Sequence, residues 1–363
     1  MVFNKTNIKN FLITGGAGFI GSCMVRKLIQ DTNHRVLNVD KLTYASNLKS
    51  LSAIENNKRY FFEREDICNH EKMLKILKKF KPNIIINFAA ESHVDRSIES
   101  AAEFMKTNIM GTFNLLQVSR KFFNDLGNKE KKNFKFHHVS TDEVYGDLGF
   151  NNESFTEETR YDPSSPYSAS KASSDHLVRS WQKTFGLPTI ITNCSNNYGP
   201  YHHPEKLIPH MILNALCGNK LPIYGDGKQV RDWLYVEDHV SALLNVAENG
   251  IAGETYNIGG NNQISNLDVV KTICKILEKN IVKPQGVKKF EDLIYFVKDR
   301  PGHDKRYAID ASKIKRELNW EPKETFKSGL NKTIMWYLNN RLWWKEILKK
   351  SYKLDRIGLD HQK

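Results

Sequence analysis

Tyr167-Ser-Ala-Ser-Lys171 puts a phenol and an ammonium one helical turn apart, on a single face of any helix that carries them. A lysine beside a tyrosine favours the phenolate and brings the phenol towards service as a base near neutral pH. The spacing alone is cheap: Tyr224-Gly-Asp-Gly-Lys228 repeats it, but its two glycines make it a turn rather than a helix, and catalysis is not assigned there. Tyr167 is better placed. Pro163 and Pro166 precede it, and a helix-compatible stretch runs on through Trp181. Upstream, an apolar run ends in Ser140-Thr141, and Asp142-Glu143 follow at once. A strand-end hydroxyl can hydrogen-bond a reacting oxygen. Two adjacent carboxyls can divide acid and base work if their surroundings push the two pKa values apart.

A second group suits a phosphate. Thr14-Gly-Gly-Ala-Gly-Phe-Ile-Gly21 contains G-x-G-x-x-G at Gly16, Gly18 and Gly21, overlapped by the spacing Gly15, Gly18, Gly21. It follows a short apolar run and opens a helix, the context the pattern needs. Glycine lets the backbone approach a pyrophosphate, and the helix start offers free N–H groups and partial positive charge. Asp40 ends the next apolar run, nineteen residues beyond Gly21. A carboxylate there accepts from a ribose diol and repels a 2′-phosphate, which favours NAD over NADP.

The elements that must hold these groups alternate. Phe11–Thr14, Arg35–Val39, Tyr60–Phe62, Asn83–Ala90, Phe136–Val139 and Thr189–Thr192 read as strands. Gly18–Gln30, Glu71–Phe80 and a stretch around Asn108–Phe123 read as helices. Strands separated by helices imply right-handed βαβ units, so the expected fold is α/β. It has a doubly wound parallel (Rossmann) sheet and a second, smaller α/β substrate-binding lobe. The expected division is 1–192 with a returning segment 231–260 for the nucleotide domain, 193–230 and 261–345 for the lobe, and 346–363 as a tail without an assigned role. Ala308–Pro322 reads as a strand and a short helix, and Trp336, Tyr337, Trp343 and Trp344 fall in a C-terminal helical stretch.

Composition narrows the function classes. The chain has 363 residues, 54 Lys+Arg against 41 Asp+Glu and a net charge of +13, with 40% hydrophobic residues. That is enough apolar material for a core and excludes a disordered chain. No apolar run approaches the ~18 residues of a membrane span. The basic excess is dispersed among acids and carries no nucleic-acid recognition motif, so neither a membrane nor a nucleic acid is expected as partner. Cys23, Cys68, Cys194, Cys217 and Cys274 are odd in number and contain no CxxC pair, which points to a reducing, cytoplasmic setting. His202, His203 and His210 lack metal-ligand partners at suitable spacing, and no metal is expected.

The glycine turn, the Tyr167/Lys171 pair and the strand-end Ser-Thr together resemble the extended short-chain dehydrogenase/reductase superfamily, and within it the sugar-nucleotide epimerases and dehydratases. Ser140-Thr-Asp-Glu-Val-Tyr-Gly146 is similar to the dTDP-glucose 4,6-dehydratases; C4-epimerases lack the adjacent acids, and GDP-mannose dehydratases usually show Ser-Glu. Further blocks include Ala89–Ile98, Asn193–Tyr201, Pro204–Pro209, Leu221–Gly227, Val230–Val236 and Asp299–His303. The resemblance implies Thr141, Asp142, Glu143, Tyr167 and Lys171 as catalytic residues. For NAD it implies Gly15, Gly18, Phe19, Ile20, Gly21, Asp40, Asp66, Ile67, Ala89, Tyr167 and Lys171. For the sugar nucleotide it implies Ser92, Thr141, Asn196, Lys206, Leu207, Pro222, Tyr224, Arg231, Asn266, Arg300 and His303. It also implies a homodimer formed through helices near 108–123 and 167–185. His203 stands where such proteins commonly have an aromatic. A uridine nucleotide in place of the thymidine one, or a non-catalytic NAD-binding sensor or scaffold, remains open at this point.

Overall fold

The computed structural model describes residues 8–149, 153–350, 352 and 354. Twelve strands are found among them: β1 (Asn10–Thr14), β2 (Arg35–Val39), β3 (Tyr60–Glu63), β4 (Ile84–Asn87), β5 (Lys135–Thr141), β6 (Thr189–Cys194), β7 (Asn196–Tyr198), β8 (Leu221–Tyr224), β9 (Val230–Tyr235), β10 (Thr255–Ile258), β11 (Gln263–Ser265) and β12 (Ile294–Val297). Seven form one parallel sheet in the order β10-β6-β5-β4-β1-β2-β3. This is the doubly wound Rossmann-type sheet that the alternation implied.

Successive strand residues serve opposite layers. Phe11, Ile13, Ile84 and Ile86 pack with the helices Phe19–Asp31 and Val236–Asn249. Leu12, Ile85 and Phe136 pack with His70–Phe80, Thr112–Asn124 and Pro166–Phe185. A strand covered on both faces has no polar alternation, and Ile84-Ile-Ile86 is therefore a continuous apolar run. Strand order reverses between β1 and β4, so the helices that follow them diverge and leave a crevice at the strands' carboxyl ends.

The second half departs from simple alternation. β9 pairs with β7 and β11 in a separate three-stranded sheet, and β12 pairs with β8. The helix Val236–Asn249 and β10 return to the large sheet. The helices Leu207–Cys217, Asn266–Asn280, Phe326–Asn339 and Arg341–Lys350 share a further core around Trp233, Trp343 and Trp344. The strand expected at Ala308-Ile309 is only an isolated bridge from Ile309 to Phe155, because one pair of residues makes no ladder. The helix expected from about Asn108 begins earlier, with a π-helical turn at Met105–Gly111 leading into Thr112–Asn124.

Candidate active site

One cleft of about 460 Å³ lies over the carboxyl edge of the sheet, and every site residue expected from the sequence lines it. The glycine turn forms one end. Gly15 has φ +68°, and its amide donates to the Val39 carbonyl at 2.9 Å, tying the turn to β2. A Cβ on Gly15 would lie 2.8 Å from the Ala89 backbone nitrogen, and one on Gly21 would lie 2.2 Å from the Gly15 carbonyl oxygen. Only glycine fits either place. Gly16 points elsewhere, against Asn38, so the spacing that lines the cleft is Gly15, Gly18, Gly21. Gly18 caps the helix Phe19–Asp31 without a side-chain hydrogen bond, and no acid follows in the first turn. Its leading amides, at Phe19, Ile20 and Gly21, are thus left for an anion.

Asp40 is buried and already employed. Its Oδ2 accepts from the Ala17 amide at 2.9 Å, and its Oδ1 from the Leu42 amide at 2.8 Å and the Ser46 hydroxyl at 2.9 Å. The sequence assigned it to a ribose diol alone; here it also fixes the glycine turn to the loop after β2. Asp66 and Ile67 reach the same end after β3, where Asp66 Oδ1 accepts from the Cys68 amide at 2.9 Å. Ala89 follows β4 and donates its amide to Thr14 Oγ1 at 3.3 Å.

The reactive groups sit mid-cleft. Thr141 is the last residue of β5, and Asp142–Tyr145 form a short 3₁₀ turn that it caps, accepting from the Glu143 amide at 3.3 Å. Thr141 Oγ1 lies 3.4 Å from Asp142 Oδ1, and its hydroxyl is close enough to the Tyr167 phenol to favour the phenolate. Tyr167 and Lys171 come from the helix Pro166–Phe185, whose start is set by Pro166 in the first position and by Ser165, which accepts from the Ser168 amide. Lys171 Nζ donates to the Val139 carbonyl at 2.8 Å and lies 3.3 Å from His138 Nε2.

These environments set the protonation states. Burial, then Glu143 and Asp232, drive the Asp142 carboxyl well above the usual carboxylate range, so it holds its proton. Burial also raises Glu143, but Arg300, Arg231 and Lys206 oppose it and favour the carboxylate. The Lys171 effect expected on Tyr167 is not among the leading influences on the phenol. Burial first, and Glu143 next, push the phenol well up, and the Thr141 hydroxyl works the other way. The lysine is turned to Val139 and His138, so a phenolate needs a further cation in the cleft.

The far end is cationic. Lys206 donates to the Ser92 carbonyl at 2.9 Å and precedes Leu207, the first residue of its helix. Arg231 is buried, donates to the Val230 and Asp304 carbonyls at 2.9 Å each, and lies 4.3 Å from the Tyr307 ring centre. Arg300 donates to Asp95 Oδ1 at 2.8 Å, and Tyr224 to Asp95 Oδ2 at 3.1 Å. His303 is held by Asp299 at 2.6 Å. Pro222 with Tyr224 on β8, Asn266 at its helix start and Asn196 on β7 complete this end. Asn196 Oδ1 and Arg300 Nε are buried with no hydrogen-bond partner, as befits a site that takes a polar ligand.

The sequence reading missed Tyr44, Arg96 and Glu205. Arg96 donates to Glu205 Oε2 through Nε at 3.1 Å and Nη2 at 3.0 Å, and lies 4.0 Å from the Tyr44 ring centre. His203 meets that tyrosine edge-on at 5.8 Å, an aromatic role for the histidine that replaces an aromatic. His202 stacks on Phe19 at 4.1 Å, and Tyr352 also lines the cleft. Arg96 and Glu205 lie within the blocks Ala89–Ile98 and Pro204–Pro209, but nothing local singles them out, because each contact joins segments far apart in the chain. Among the described residues no group of three His, Cys, Asp or Glu side chains is placed to hold a metal ion.

The model of the GDP-mannose 4,6 dehydratase family matches residues 12–333. The chain belongs to this family. Its relatives there include a dTDP-glucose 4,6-dehydratase of Neisseria meningitidis serogroup B, 60% identical over 352 residues, covering 97% of this chain and 99% of the relative. A dTDP-glucose 4,6-dehydratase of Escherichia coli is also 60% identical, over 96% of this chain and 99% of its own length. Among solved structures, the Bacillus anthracis dTDP-glucose 4,6-dehydratase in complex with NAD superposes with a TM-score of 0.83 at 46% identity, over 93% of this chain and 99% of that one. The Streptomyces venezuelae enzyme DesIV, with NAD and dTDP bound, gives 0.85 at 41% identity, with the same coverage.

Proposed function

We propose that this chain is an NAD-dependent dTDP-glucose 4,6-dehydratase. It converts dTDP-glucose to dTDP-4-keto-6-deoxyglucose and water, a step of deoxysugar nucleotide synthesis. The observation that carries the reading is the pairing of a sealed Asp142, whose carboxyl burial pushes well up, with a cation-flanked Glu143 beside Tyr167. A simple epimerase has no use for a second acid–base pair.

NAD, when bound, would supply the hydride acceptor for carbon 4 and the hydride later delivered to carbon 6, and its oxidised ring the positive charge missing beside Tyr167. The glycine turn and the leading amides of the helix Phe19–Asp31 suit its pyrophosphate; Asp40 has lone pairs left for a ribose. Lys171 would hold the second ribose. Tyr167 takes the proton of the carbon-4 hydroxyl, whose oxygen Thr141 holds. The resulting ketone acidifies carbon 5, and Glu143 removes that proton. Asp142 gives its proton to the departing carbon-6 hydroxyl, which leaves as water. Glu143 then returns a proton to carbon 5, and exchange with solvent carries the proton gained by Tyr167 away and restores the one given up by Asp142. Arg231, Arg300 and Lys206 suit the diphosphate, Tyr224 offers a face to the base, and Ser92, Asn196, Leu207, Pro222, Asn266 and His303 shape the remaining contacts.

No helix among the described residues is long and apolar enough to cross a membrane. Five free cysteines fit a reducing cytoplasm. The helices Thr112–Asn124 and Pro166–Phe185 pack together, and exposed Met110, just before the first, and Phe185, at the end of the second, support a homodimer through this face.

Purified protein incubated with dTDP-glucose, without added NAD, should yield a product lighter by one water. UDP-glucose should not react. Water loss from UDP-glucose would keep the chemistry and overturn the base; no loss from either, with NAD restored, would overturn the reaction.

A further inference from the structure

Behind Lys171 lies a polar row that the reaction scheme does not use. Thr14, Asn87 and His138 are register partners on the adjacent strands β1, β4 and β5, and they share the face turned towards the helix Pro166–Phe185. Thr14 Oγ1 donates to Asn87 Oδ1 at 2.6 Å, and Asn87 Nδ2 reaches His138 Nδ1 at 3.2 Å. All three are essentially inaccessible to solvent. His138 Nε2 then lies 3.3 Å from Lys171 Nζ and 3.4 Å from Asp175 Oδ1.

The tautomer follows from donors and acceptors. Asn87 Oδ1 takes the Thr14 proton, so the Asn87 amide nitrogen is the group that faces the ring and must donate. Nδ1 is therefore the acceptor, and in the neutral ring the hydrogen sits on Nε2, on the side of Asp175 Oδ1, which lies 3.4 Å away and has no hydrogen-bond partner of its own. A second proton on the ring has no partner, and it would stand beside the Lys171 ammonium.

Lys171 and Asp175 are opposite charges one helical turn apart in a buried site, the spacing at which such side chains ordinarily pair. They make no ion pair within 4 Å. The imidazole stands between them. Asp175 Oδ2 is drawn the other way, accepting from Ser140 at 2.8 Å and Tyr161 at 2.9 Å, with Arg179 donating to that tyrosine at 2.8 Å. His137, next in the strand, faces the opposite layer and bonds Thr192.

We infer that His138 is a positioning residue: a neutral wedge that keeps Lys171 from collapsing onto Asp175 and so leaves the ammonium available near Tyr167 and the cofactor ribose. Through Asn87 and Thr14 the same row reaches the residue before Gly15, so the lysine and the nucleotide turn share one frame. This deepens the dehydratase reading and rests on it for the role of Lys171.

Two measurements separate the proposal from that reading. In protein carrying isotope-labelled histidine, the ring signal lost in His138→Gln should remain neutral, with hydrogen on Nε2, from mildly acidic to mildly alkaline pH. A ring that titrates there, or carries its hydrogen on Nδ1, overturns the wedge whatever the enzyme's activity. Kinetically, His138→Phe should lower kcat by about tenfold to a hundredfold with KM for the sugar nucleotide within about twofold, and should move upward the acidic limb of nicotinamide reduction, the step that needs the Tyr167 phenolate rather than Glu143, as expected when the ammonium is drawn further from the phenol and the cofactor. His138→Gln should recover most of the loss. The double change His138→Phe with Asp175→Asn should recover activity over His138→Phe alone, because it removes the charge that captures the lysine. A double variant no better than the single one, or an unshifted profile in His138→Phe, overturns the proposal. Absence of water loss in the unaltered protein overturns the dehydratase reading and leaves the spectroscopic result standing.

Discussion

Asp142 and Glu143 are neighbours in the chain yet belong to different electrostatic worlds. Asp142 is sealed, with Oδ2 unpartnered and Asp232 as a nearby charge; Glu143 is partly open to the cleft, where Lys206, Arg231 and Arg300 favour its charge. Alternation at the strand end produces this split, because a 3₁₀ turn swings successive side chains apart. The pH dependence of water loss should be bell-shaped. Glu143 must be ionised, so the rate falls on the acidic side, at a pH above the ordinary carboxylate range. Asp142 must be protonated, so the rate falls again on the alkaline side. Asp142→Asn and Glu143→Gln should each cut water loss by about a hundredfold or more. Reduced nicotinamide should accumulate in both, since carbon-4 oxidation does not need them. A variant that loses water at the unaltered rate refutes the assignment.

The glycine turn gives a graded test. Gly21→Ala brings a Cβ to 2.2 Å from the Gly15 carbonyl oxygen, which is backbone and cannot yield, whereas Gly18→Ala meets the same oxygen at 3.3 Å. Gly15→Ala adds a left-handed φ, costing roughly 1–2 kcal/mol before any clash. NAD content of the purified protein should therefore be lowest for Gly21→Ala and Gly15→Ala, and near normal for Gly18→Ala. Equal retention in all three would separate the turn from cofactor binding.

What the sequence disclosed follows from what is local. Arg35–Val39 is bounded as expected, and the turn, the helix of Tyr167 and the Thr141–Glu143 edge are read from residues within one or two turns of each other. The strand order then brings those separate motifs to one crevice. The partners of Lys171 were not legible, because they depend on strand register between residues 138 and 171. The same holds for the Arg96–Glu205 pair over Tyr44, which joins three distant segments. β7 and β11 are three residues each, too short for a period-2 pattern to emerge.

Two buried histidines make folding stability sensitive to mild acid. Burial pushes His239 down to about 3, and His137 likewise to about 3. His239 Nδ1 donates to Asn197 Oδ1 at 2.8 Å, while Nε2 has no partner, so a second proton is unwelcome. The unfolded chain takes up that proton near pH 6.5, the folded chain only near 3. This contribution is complete above 6.5 and is lost as pH falls between those values, by about 1.4 kcal/mol per pH unit for each ring. His239→Asn should flatten the decline of unfolding free energy between about pH 6 and 4.5 by that amount, measured by denaturant titration. An unchanged slope would mean the ring is not held neutral.

The C-terminal helix should matter to the cofactor side of the cleft as well as to its own lobe. Trp343 is buried against Tyr201 and Trp336, and its Nε1 donates to Ser50 Oγ at 3.2 Å, on the segment after β2 that follows the Asp40-bound loop. Glu346 pairs with Lys49 beside it at 2.5 Å, but both are well exposed, so that ion pair contributes at most about 1 kcal/mol. The indole does more. Trp343→Phe keeps most of the packing and loses one hydrogen bond, about 1 kcal/mol. Trp343→Ala empties a packed site and should cost about 3–5 kcal/mol. Because Ser50 is anchored from the same segment whose start carries Ser46 to Asp40, the larger change should also speed NAD loss, whereas Glu346→Gln should leave both stability and NAD retention nearly unaltered. Thermal unfolding with NAD-release kinetics distinguishes the cases: a Trp343→Ala protein that is destabilised yet keeps NAD as firmly as before would confine the helix to structural support.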